Sequence, residues 1–534
     1  MGITIRERGQ KVADCIQSHV KQNVRAIATV TGLSKSSVHR HQQAIERRNQ
    51  HPESDWWESE RGYQWLFRLV YGLVYCFGIK QDVGAETLSE FIHMVHLENH
   101  VASSPSALRD LKKQVTQLII DYDDVQAKHC QPSPGQGIGL GADETFFDLP
   151  VLVLIELTSG FIFIETECAN RTYDTWLKQL EQWWNRQQWH CHYLVSDGAR
   201  ALIKLALSEL DCVSVTDLFH ALRALGRPMG SALGRQLAQL KKQHDKLQKQ
   251  LKSCSDEAKQ QSLKALIEEN TAQQQCLCED QRIYHDALEE ISQIIHPFNR
   301  ETQQWRLGED LTTDLTPTLQ TLTKLTQSYG KENAQKAIET FQSQIDSFAQ
   351  GIEAWRQWVT VVLQTETQDS VLQDWLLSAL LPWVYWLQQA DKTRRPALKH
   401  HYQQAASCAY DLLFEHPLTL GLVPAELERW VLWSQDFCAK YQRTSSAVEG
   451  RNGYLAKIHC AGRGFSEQSL KALTIIHNFD LKRPDGSTAA QRLFGHPFPD
   501  LFEWILKNAG DLPLPRKSSK AQKVKPLYAK AVPA

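Results

Sequence analysis

The sequence predicts a multidomain protein with a mixed five-stranded α/β core, which an all-α insertion interrupts and all-α helix-turn-helix modules precede. Three observations predict this. A chain of 534 residues exceeds what one hydrophobic core usually organises. Strand-like alternation begins after a Pro- and Gly-rich linker at residues 131–137, whereas the flanking segments have helical periodicity. Finally, about 250 residues separate two core-like motifs, far more than a connection within one core needs.

Composition and charge exclude several classes of protein. The formal net charge is only −2, which argues against indiscriminate coating of nucleic acid but allows local basic patches. The 12 cysteines follow no framework spacing, so we expect a reduced, cytoplasmic compartment. The N-terminal residues are charged and no apolar stretch is long enough to span a bilayer, so we expect neither secretion nor membrane insertion.

Residues 1–50 contain a helix-turn-helix candidate. Ile27 is expected to face inward on a short helix, Gly32 to provide the turn, and Ser34 to cap the second helix. If that helix enters a major groove, its outward side chains contact bases and phosphates; these are Lys35, Ser36, His39, Arg40 and Gln43. An ordinary helical hairpin with a solvated basic face is the alternative.

Residues 51–130 form a second helical region. Within it, the segment Glu86 to Leu111 again has the pattern of helix, turn and helix, with Ser104 as a helix cap. DNA binding and plain packing both remain open for this module, because its exposed face offers few cations, among them Arg109 and Lys112.

Between the linker and residue 225, apolar and polar residues alternate as they do in strands, in runs that short connections or helices separate. Three strand-like runs joined by short connections are followed by a helix, a fourth strand, a second helix and a fifth strand. This order of elements predicts the mixed α/β core.

Three acidic residues stand where such a core can bring carboxylates together. Asp143 lies in the first strand run, GIGLGADETFF; Asp197 follows the fourth strand in HYLVSDGAR; and Glu449 lies in SSAVEGRNGYL, which runs into a helix. Converging carboxylates are what a pair of Mg²⁺ ions needs. Turns, a helix cap and a solvated helix face are the structural alternatives for the three. The neighbouring Glu144 should point to the opposite face of its strand.

The order of elements and these motifs resembles the ribonuclease H-like core of DDE transposases and retroviral-type integrases. SDGAR, TDLFHALR and SSAVEGRNGYL are similar to segments of bacterial insertion-element transposases. The resemblance covers the middle and C-terminal parts of the chain. It implies that Asp143, Asp197 and Glu449 are catalytic and hold two Mg²⁺ ions, for which Mn²⁺ substitutes, with Asp143 bridging both ions.

Other residues near these motifs are candidates for supporting roles. Asp217 and His220 are expected to orient a metal ligand or to contact the scissile phosphate, with a structural histidine as the alternative. Arg443, Arg451 and Asn452 are candidates for gripping phosphates, with a solvated helix face as the alternative.

Residues 226–440 are predicted to form the all-α insertion. It begins with a hairpin of two polar helices from Ser231, broken near Ser253 to Asp256, and continues as helices rich in tryptophan. Dimerisation, DNA contact and self-packing remain open for the hairpin, and most of the tryptophans are expected in the core. Residues 441–485 return to the core with the Glu449 helix. Residues 486–534 end in a basic tail, for which phosphate attraction and a solubilising role are both open.

The resemblance therefore implies a bacterial, nucleoid-associated DDE transposase. We expect the N-terminal modules to bind the terminal repeats of double-stranded transposon DNA, and the core to perform metal-dependent cleavage and strand transfer into target DNA. A homodimer is expected on the DNA, because paired ends need paired active sites. The alternatives are a sequence-specific DNA-binding or domesticated protein with an inactive core, and a related structure-selective nuclease.

Overall fold

The chain divides into two compact units. The computed structural model describes residues 5–18, 23–50, 56–57, 59–133, 135–184, 189–460 and 464–515. The first unit comprises Met1–Cys130, Ile458–Gln491 and Gly495–Ala534, and the second comprises Gln131–Lys457 and Arg492–Phe494. Most of the basic tail lies outside the described residues.

The elements of the described residues follow one another in chain order. The N-terminal helices are α1 (Ile5–Gln17), α2 (Val24–Thr31), α3 (Lys35–Gln50), α4 (Glu60–Leu73), α5 (Ala85–Met94) and α6 (Pro105–Gln126). The sheet region contains β1 (Gly137–Phe146), β2 (Pro150–Glu156), β3 (Ile162–Glu167), α7 (Tyr173–Leu180), β4 (His190–Ser196), α8 (Arg200–Ser208) and β5 (Val213–Thr216). The later helices are α9 (Leu218–Ser253), α10 (Glu257–Ile294), α11 (Gly308–Ser328), α12 (Glu332–Gln342), α13 (Ile345–Glu366), α14 (Ser370–Trp375), α15 (Leu381–Lys392), α16 (Pro396–Glu415), α17 (Pro417–Gly421), α18 (Pro424–Lys440), α19 (Ser446–Cys460), α20 (Glu467–Phe479), α21 (Ala489–Phe494) and α22 (Leu501–Asn508). Short π-helical segments, Val74–Ile79 and Leu376–Leu380, continue α4 and α14, and a 3-10 turn, Ala127–His129, follows α6.

The N-terminal module has the predicted helix, glycine turn and second helix. Its small core consists of Val12, Cys15, Ile27 and Val38. Gly32 ends α2 with a φ of 68°, a left-handed conformation that glycine adopts without steric cost. The hydroxyl of Ser34 accepts a hydrogen bond of 3.2 Å from the N–H three residues on, so the predicted cap of α3 is confirmed.

The rest of the first unit is also helical. Ser104 caps α6, as predicted, by accepting the N–H of Ala107 at 3.3 Å. The ring of Tyr122 in α6 meets Phe479 of α20 and Trp504 of α22 at centroid distances of 5.4 and 5.5 Å. These contacts join α20 and α22 to the N-terminal helices and agree with the grouping of Ile458–Gln491 and Gly495–Ala534 in the first unit, whereas residues 441–485 were predicted to belong to the core.

The second unit contains a five-stranded mixed sheet, as predicted. The strand order is β3-β2-β1-β4-β5. The first three strands are antiparallel, and β1, β4 and β5 are parallel to one another. In the parallel part of the sheet, the last residue pair between β1 and β4 is Gly141 with Val195, and the last pair between β4 and β5 is Ser196 with Thr216. Side chains carried just beyond these pairs therefore meet at one end of the sheet.

Two glycines let helices approach the sheet closely. A Cβ at Gly141 in β1 would lie 2.6 Å from Leu157 and 3.3 Å from Val448 in α19. A Cβ at Gly351 in α13 would lie 2.9 Å from Val215 in β5. Because Gly141 has no side chain, α19 packs directly against β1. This packing positions the residues that follow Val448.

The insertion is helical and begins earlier than predicted. The hairpin was expected from Ser231, but α9 runs without a break from Leu218 and passes through Pro228. Asp256 caps the returning helix by accepting the N–H of Ala258 at 3.0 Å, so the predicted break is confirmed. Several tryptophans fill the core of the insertion, as expected; Trp355, Trp375, Trp386 and Trp430 are fully buried.

Among the helices that the structure describes, none combines the length and the apolarity that crossing a bilayer requires.

Candidate metal centre

Asp143 lies at the middle of an acidic cluster at the end of the parallel strands. It follows the last β1–β4 pair by two positions, and it is only 8% exposed. Its side chain points to the face of the sheet that α19 covers, because Asn452 of α19 donates a hydrogen bond of 3.2 Å to Oδ2 of Asp143.

Asp143 belongs to two groups of potential metal ligands. In one group, ligand atoms of Asp143, His220 and Glu449 lie within 4.8 Å of one another. In the other, ligand atoms of Asp143, Glu144 and Asp197 do so. Asp197 and Glu449 thus each share a group of ligand atoms with Asp143 but not with each other. The structure brings together the three acids singled out in the sequence, although their positions span more than 300 residues.

The side chains of Glu449 and His220 lie close together, although they belong to two different helices. Nε2 of His220 lies 2.8 Å from Oε1 of Glu449, an ion-pair distance that does not have the geometry of a hydrogen bond. Glu449 lies in the first turn of α19 and His220 in the first turn of α9. The pair therefore depends on how the beginnings of these two helices are held.

Asp217 holds the two helix beginnings together. Its carboxylate caps α9 by accepting the N–H groups of Phe219 and His220 at 2.7 and 3.1 Å. The other oxygen accepts the backbone N–H of Ser445 at 2.6 Å and also the Ser445 hydroxyl. Asp217 is fully buried, so it positions His220 and Glu449 without touching a substrate.

Arg443 supports the same junction from a greater distance. Its guanidinium donates hydrogen bonds of 2.9 and 2.6 Å to the carbonyls of Ser292 and Ile295, at the end of α10. Its own carbonyl accepts the N–H of Leu218 at 3.0 Å. A cation on the last carbonyls of a helix is stabilised by the helix dipole. Arg443 therefore ties α9, α10 and the segment before α19 together.

Asp197 and Glu144 form the other side of the cluster. Asp197 is exposed just after β4, and its Oδ1 accepts the N–H of Ala199 at 2.8 Å. Glu144 points to the opposite face from Asp143, as predicted, where Trp176 and Arg171 donate to it at 3.2 and 3.3 Å. Its carboxylate nevertheless reaches the strand end and joins the group with Asp197. Burial raises the pKa of Glu144, and the hydrogen bond from Trp176 opposes this.

The environment of Asp143 favours a neutral acid or a bound cation. Burial is the main cause that raises the pKa of Asp143 to about 7. The negative charges of Asp197 and Glu449 raise it further, and His220 lowers it. A divalent cation would reverse this balance, because it favours the ionised carboxylate.

The residues present fit a hard divalent cation. Carboxylate oxygens with one imidazole suit Mg²⁺ or Mn²⁺. One further atom beside Asp143 is available: within the described residues, Oδ1 of Asn452 is buried without a hydrogen-bond partner. Unpaired buried polar atoms are costly and call for an unseen partner such as water or an ion. The side chains of this cluster could therefore bind a metal.

Arg451, also singled out in the sequence, contacts a different acid. Arg451 is buried and forms a bidentate ion pair with Glu165, with both distances 2.6 Å. The side chain of Glu165 is fully buried. A guanidinium held in this way anchors α19 to β3 and is not the exposed phosphate contact that the sequence suggested.

The helix-turn-helix residues lie in the first unit. Lys35, Ser36, His39 and Arg40 are exposed on α3, and Gln43 is half-buried. Their exposure is compatible with groove contacts. In the second helical region, by contrast, Arg109 is paired with Glu86, and Lys112 donates to Asp82 at 2.5 Å. These pairs neutralise two of the three cations that the sequence offers on that face, Arg109, Lys112 and Lys113.

Sequence reasoning missed part of the site. Asn452 was predicted to bind phosphate, whereas its amide contacts Asp143. Ser445 was not among the predicted site residues. The signal for Asp217 and His220 was present in TDLFH, where an aspartate three residues before a histidine can cap the helix that carries it.

Residues 376–521 match a family described as "Family of unknown function (DUF6399)". Searches of curated proteins and of solved structures found no match. The matched segment includes Glu449 and ends beyond the helices of the insertion.

Proposed function

We propose that this protein is a DDE-type transposase that cleaves DNA and transfers the cut strand with the help of two divalent cations. The observation that carries the proposal is the sharing of Asp143 by two groups of ligand atoms, one with Glu449 and one with Asp197. The ribonuclease H-like resemblance is supported by the position of each acid, because the first is on β1, the second follows β4 and the third is on a later helix.

The chemistry required of the residues follows from the reaction. In-line displacement at a phosphodiester develops charge on both the attacking and the leaving oxygen, which a pair of divalent cations neutralises. Asp143 would contact both ions. Asp197 and Glu144 would complete one ion's ligands, and Glu449 and His220 would complete the other's. Asp217 would keep His220 and Glu449 in place, and no covalent enzyme intermediate is needed.

The partner in this proposal is double-stranded DNA. The exposed side chains of α3, including Lys35 and Arg40, would contact the terminal repeats of an element, and a homodimer would bring two ends together. Target DNA would occupy the same centre during strand transfer. The bacterial nucleoid would be the place of action.

The proposal is tested by nicking of supercoiled plasmid and of a duplex carrying any inverted repeat found in the DNA that flanks the gene. Wild-type protein should nick in Mg²⁺ or Mn²⁺ and should not do so with a chelator. Asp143→Asn, Asp197→Asn and Glu449→Gln should each lower the nicking rate by at least about 100-fold, more than the loss of an outer hydrogen-bond partner causes. Asp174→Asn, which changes an exposed acid of α7, is the matched control.

The result that would reject the proposal is wild-type nicking by Asp143→Asn. DNA binding without any metal-dependent nicking would instead support a binding protein with an inactive core. A strong preference for branched or hybrid substrates over the repeat would support a structure-selective nuclease.

A further inference from the structure

The first turns of α9 carry an unusual exposed ridge. Phe219 is 49% exposed, and Arg223 and Arg227 follow it at four-residue steps, both exposed. Residues spaced in this way form a single row along a helix. We call these three residues the α9 ridge. The ridge begins next to His220 of the acidic cluster.

The row is positively charged without compensation. From Leu218 to His244, α9 contains arginines and lysines but no aspartate or glutamate. Among the described residues, neither Arg223 nor Arg227 has an acid within ion-pair distance. On the neighbouring α10, by contrast, Arg282 is held by Glu279 and Asp286 at 2.6 and 2.9 Å.

The ring of Phe219 lies on the solvent side of α9. The buried side of α9 is occupied by residues such as Leu218, Ala221 and Leu225, so Phe219 lies outside that core. Its ring packs edge-to-face on His220 at a centroid distance of 5.7 Å. This exposed ring beside the acidic cluster is therefore available to stack on a base.

Geometry and charge together favour a nucleic-acid strand. At 1.5 Å per residue, the Cα atoms of Arg223 and Arg227 are separated by about 6 Å along the helix axis, and Arg227 is about 10 Å from His220. Strand phosphates that approach several carboxylates need nearby positive charge. The two arginines provide it on the same side of α9 as His220.

We propose that the α9 ridge binds a single strand of DNA leading to the acidic cluster, with Arg223 and Arg227 on successive phosphates and the Phe219 ring stacked on an unpaired base. This inference rests on the proposed function, because it takes DNA as the substrate of that cluster. It adds a binding surface that is separate from the helix-turn-helix module and selects for unpaired nucleotides near the reacting phosphate.

The test uses a fluorescent oligothymidine strand and measures its Kd at several salt concentrations in the presence of a chelator. A single strand avoids major-groove contacts by α3. Each phosphate contact contributes about 0.7 to the slope of log Kd against log salt, so Arg223→Ala/Arg227→Ala should lower that slope by about 1.4. At low salt the double variant should also bind more weakly, by roughly tenfold for each arginine.

Phe219 should act differently from the arginines. Phe219→Ala should weaken binding by about tenfold with the salt slope unchanged, and Phe219→Trp should restore it. Arg282→Ala removes one positive charge from the adjacent α10 and should change neither quantity. Thermal unfolding of each variant checks that it is folded.

The outcomes separate this inference from the proposed function. Wild-type slope and affinity in the double variant, or no binding of the strand by the wild type, would overturn the ridge even if plasmid nicking is observed. Loss of strand binding in the ridge variants, together with an absence of metal-dependent nicking by the wild type, would support the ridge and reject the proposed chemistry.

Discussion

Replacing Asp143 by asparagine should stabilise the metal-free protein while removing its response to divalent cations. The carboxylate is nearly fully buried, and burial raises its pKa from 3.8 to about 7. The folded state therefore holds this proton more tightly than the unfolded state does. Between pH 3.8 and about 7 the folded state binds more protons than the unfolded state, so the free energy of unfolding falls as pH rises.

The magnitude follows from the two pKa values. At about 1.4 kcal/mol per pKa unit, a rise from 3.8 to about 7 corresponds to about 4 kcal/mol of lost stability above neutral pH. Asn at position 143 has no charge to bury and should recover most of this. The gain should be small near pH 4, intermediate near pH 5 and constant above about pH 7.

Thermal unfolding measured by fluorescence is a suitable assay. With a chelator at about pH 8, Asp143→Asn should raise the Tm by a few degrees, and near pH 4 the two proteins should unfold together. Added Mn²⁺ should raise the Tm of the wild type by mass action but not that of the variant. A lower Tm for Asp143→Asn at pH 8, or the same response to Mn²⁺ in both proteins, would refute the reasoning.

Three further predictions concern how the centre is held and whether α3 binds DNA. Gly141→Ala should push α19 away from β1 and weaken Mn²⁺ binding, which titration calorimetry measures. Gly234→Ala is the control and should leave Mn²⁺ binding unchanged, because nothing lies within 4 Å of the added atom. Equal effects of the two substitutions would contradict this prediction. Asp217→Asn should lower the nicking rate by about 10- to 100-fold and raise the Mn²⁺ concentration needed for half-maximal rate, and an unchanged metal requirement would argue against its positioning role. Lys35→Ala/Arg40→Ala should reduce the salt slope of duplex binding by about two, and an unchanged slope would remove the groove assignment.

The sheet and its acids could be predicted because their signals are local. Strand alternation and short connections define β1 to β5, and the ends of adjacent parallel strands meet wherever such a sheet forms. Asp143 and Asp197 therefore follow from the sequence pattern. Glu449 could be selected only through its resemblance to known motifs, because nothing in the chain itself indicates which later helix packs on β1.

Residues that depend on distant partners could not be assigned from sequence. Arg451 has a partner, Glu165, that lies 286 positions away, so its burial was invisible and its charge suggested a phosphate contact. Ser445 is the first residue of the motif SSAVEGRNGYL, but its role appears only when Asp217 is seen beside it. Helix α9 begins at Leu218 and not near Ser231, because Asp217 caps its first turn and the packing of the following turns keeps the helix continuous through Pro228.

The order in which the centre is assembled has a consequence for unfinished chains. The helix carrying Glu449 is fastened to the beginning of α9 by Asp217 and to the end of α10 by Arg443, so the final acid arrives only after the insertion has been synthesised and folded. On the proposed function, a polypeptide that stops inside the insertion keeps its DNA-contacting helices but has no means of cutting. Errors in translation would then yield competitors that occupy the ends of an element, and the genome would be spared stray breaks.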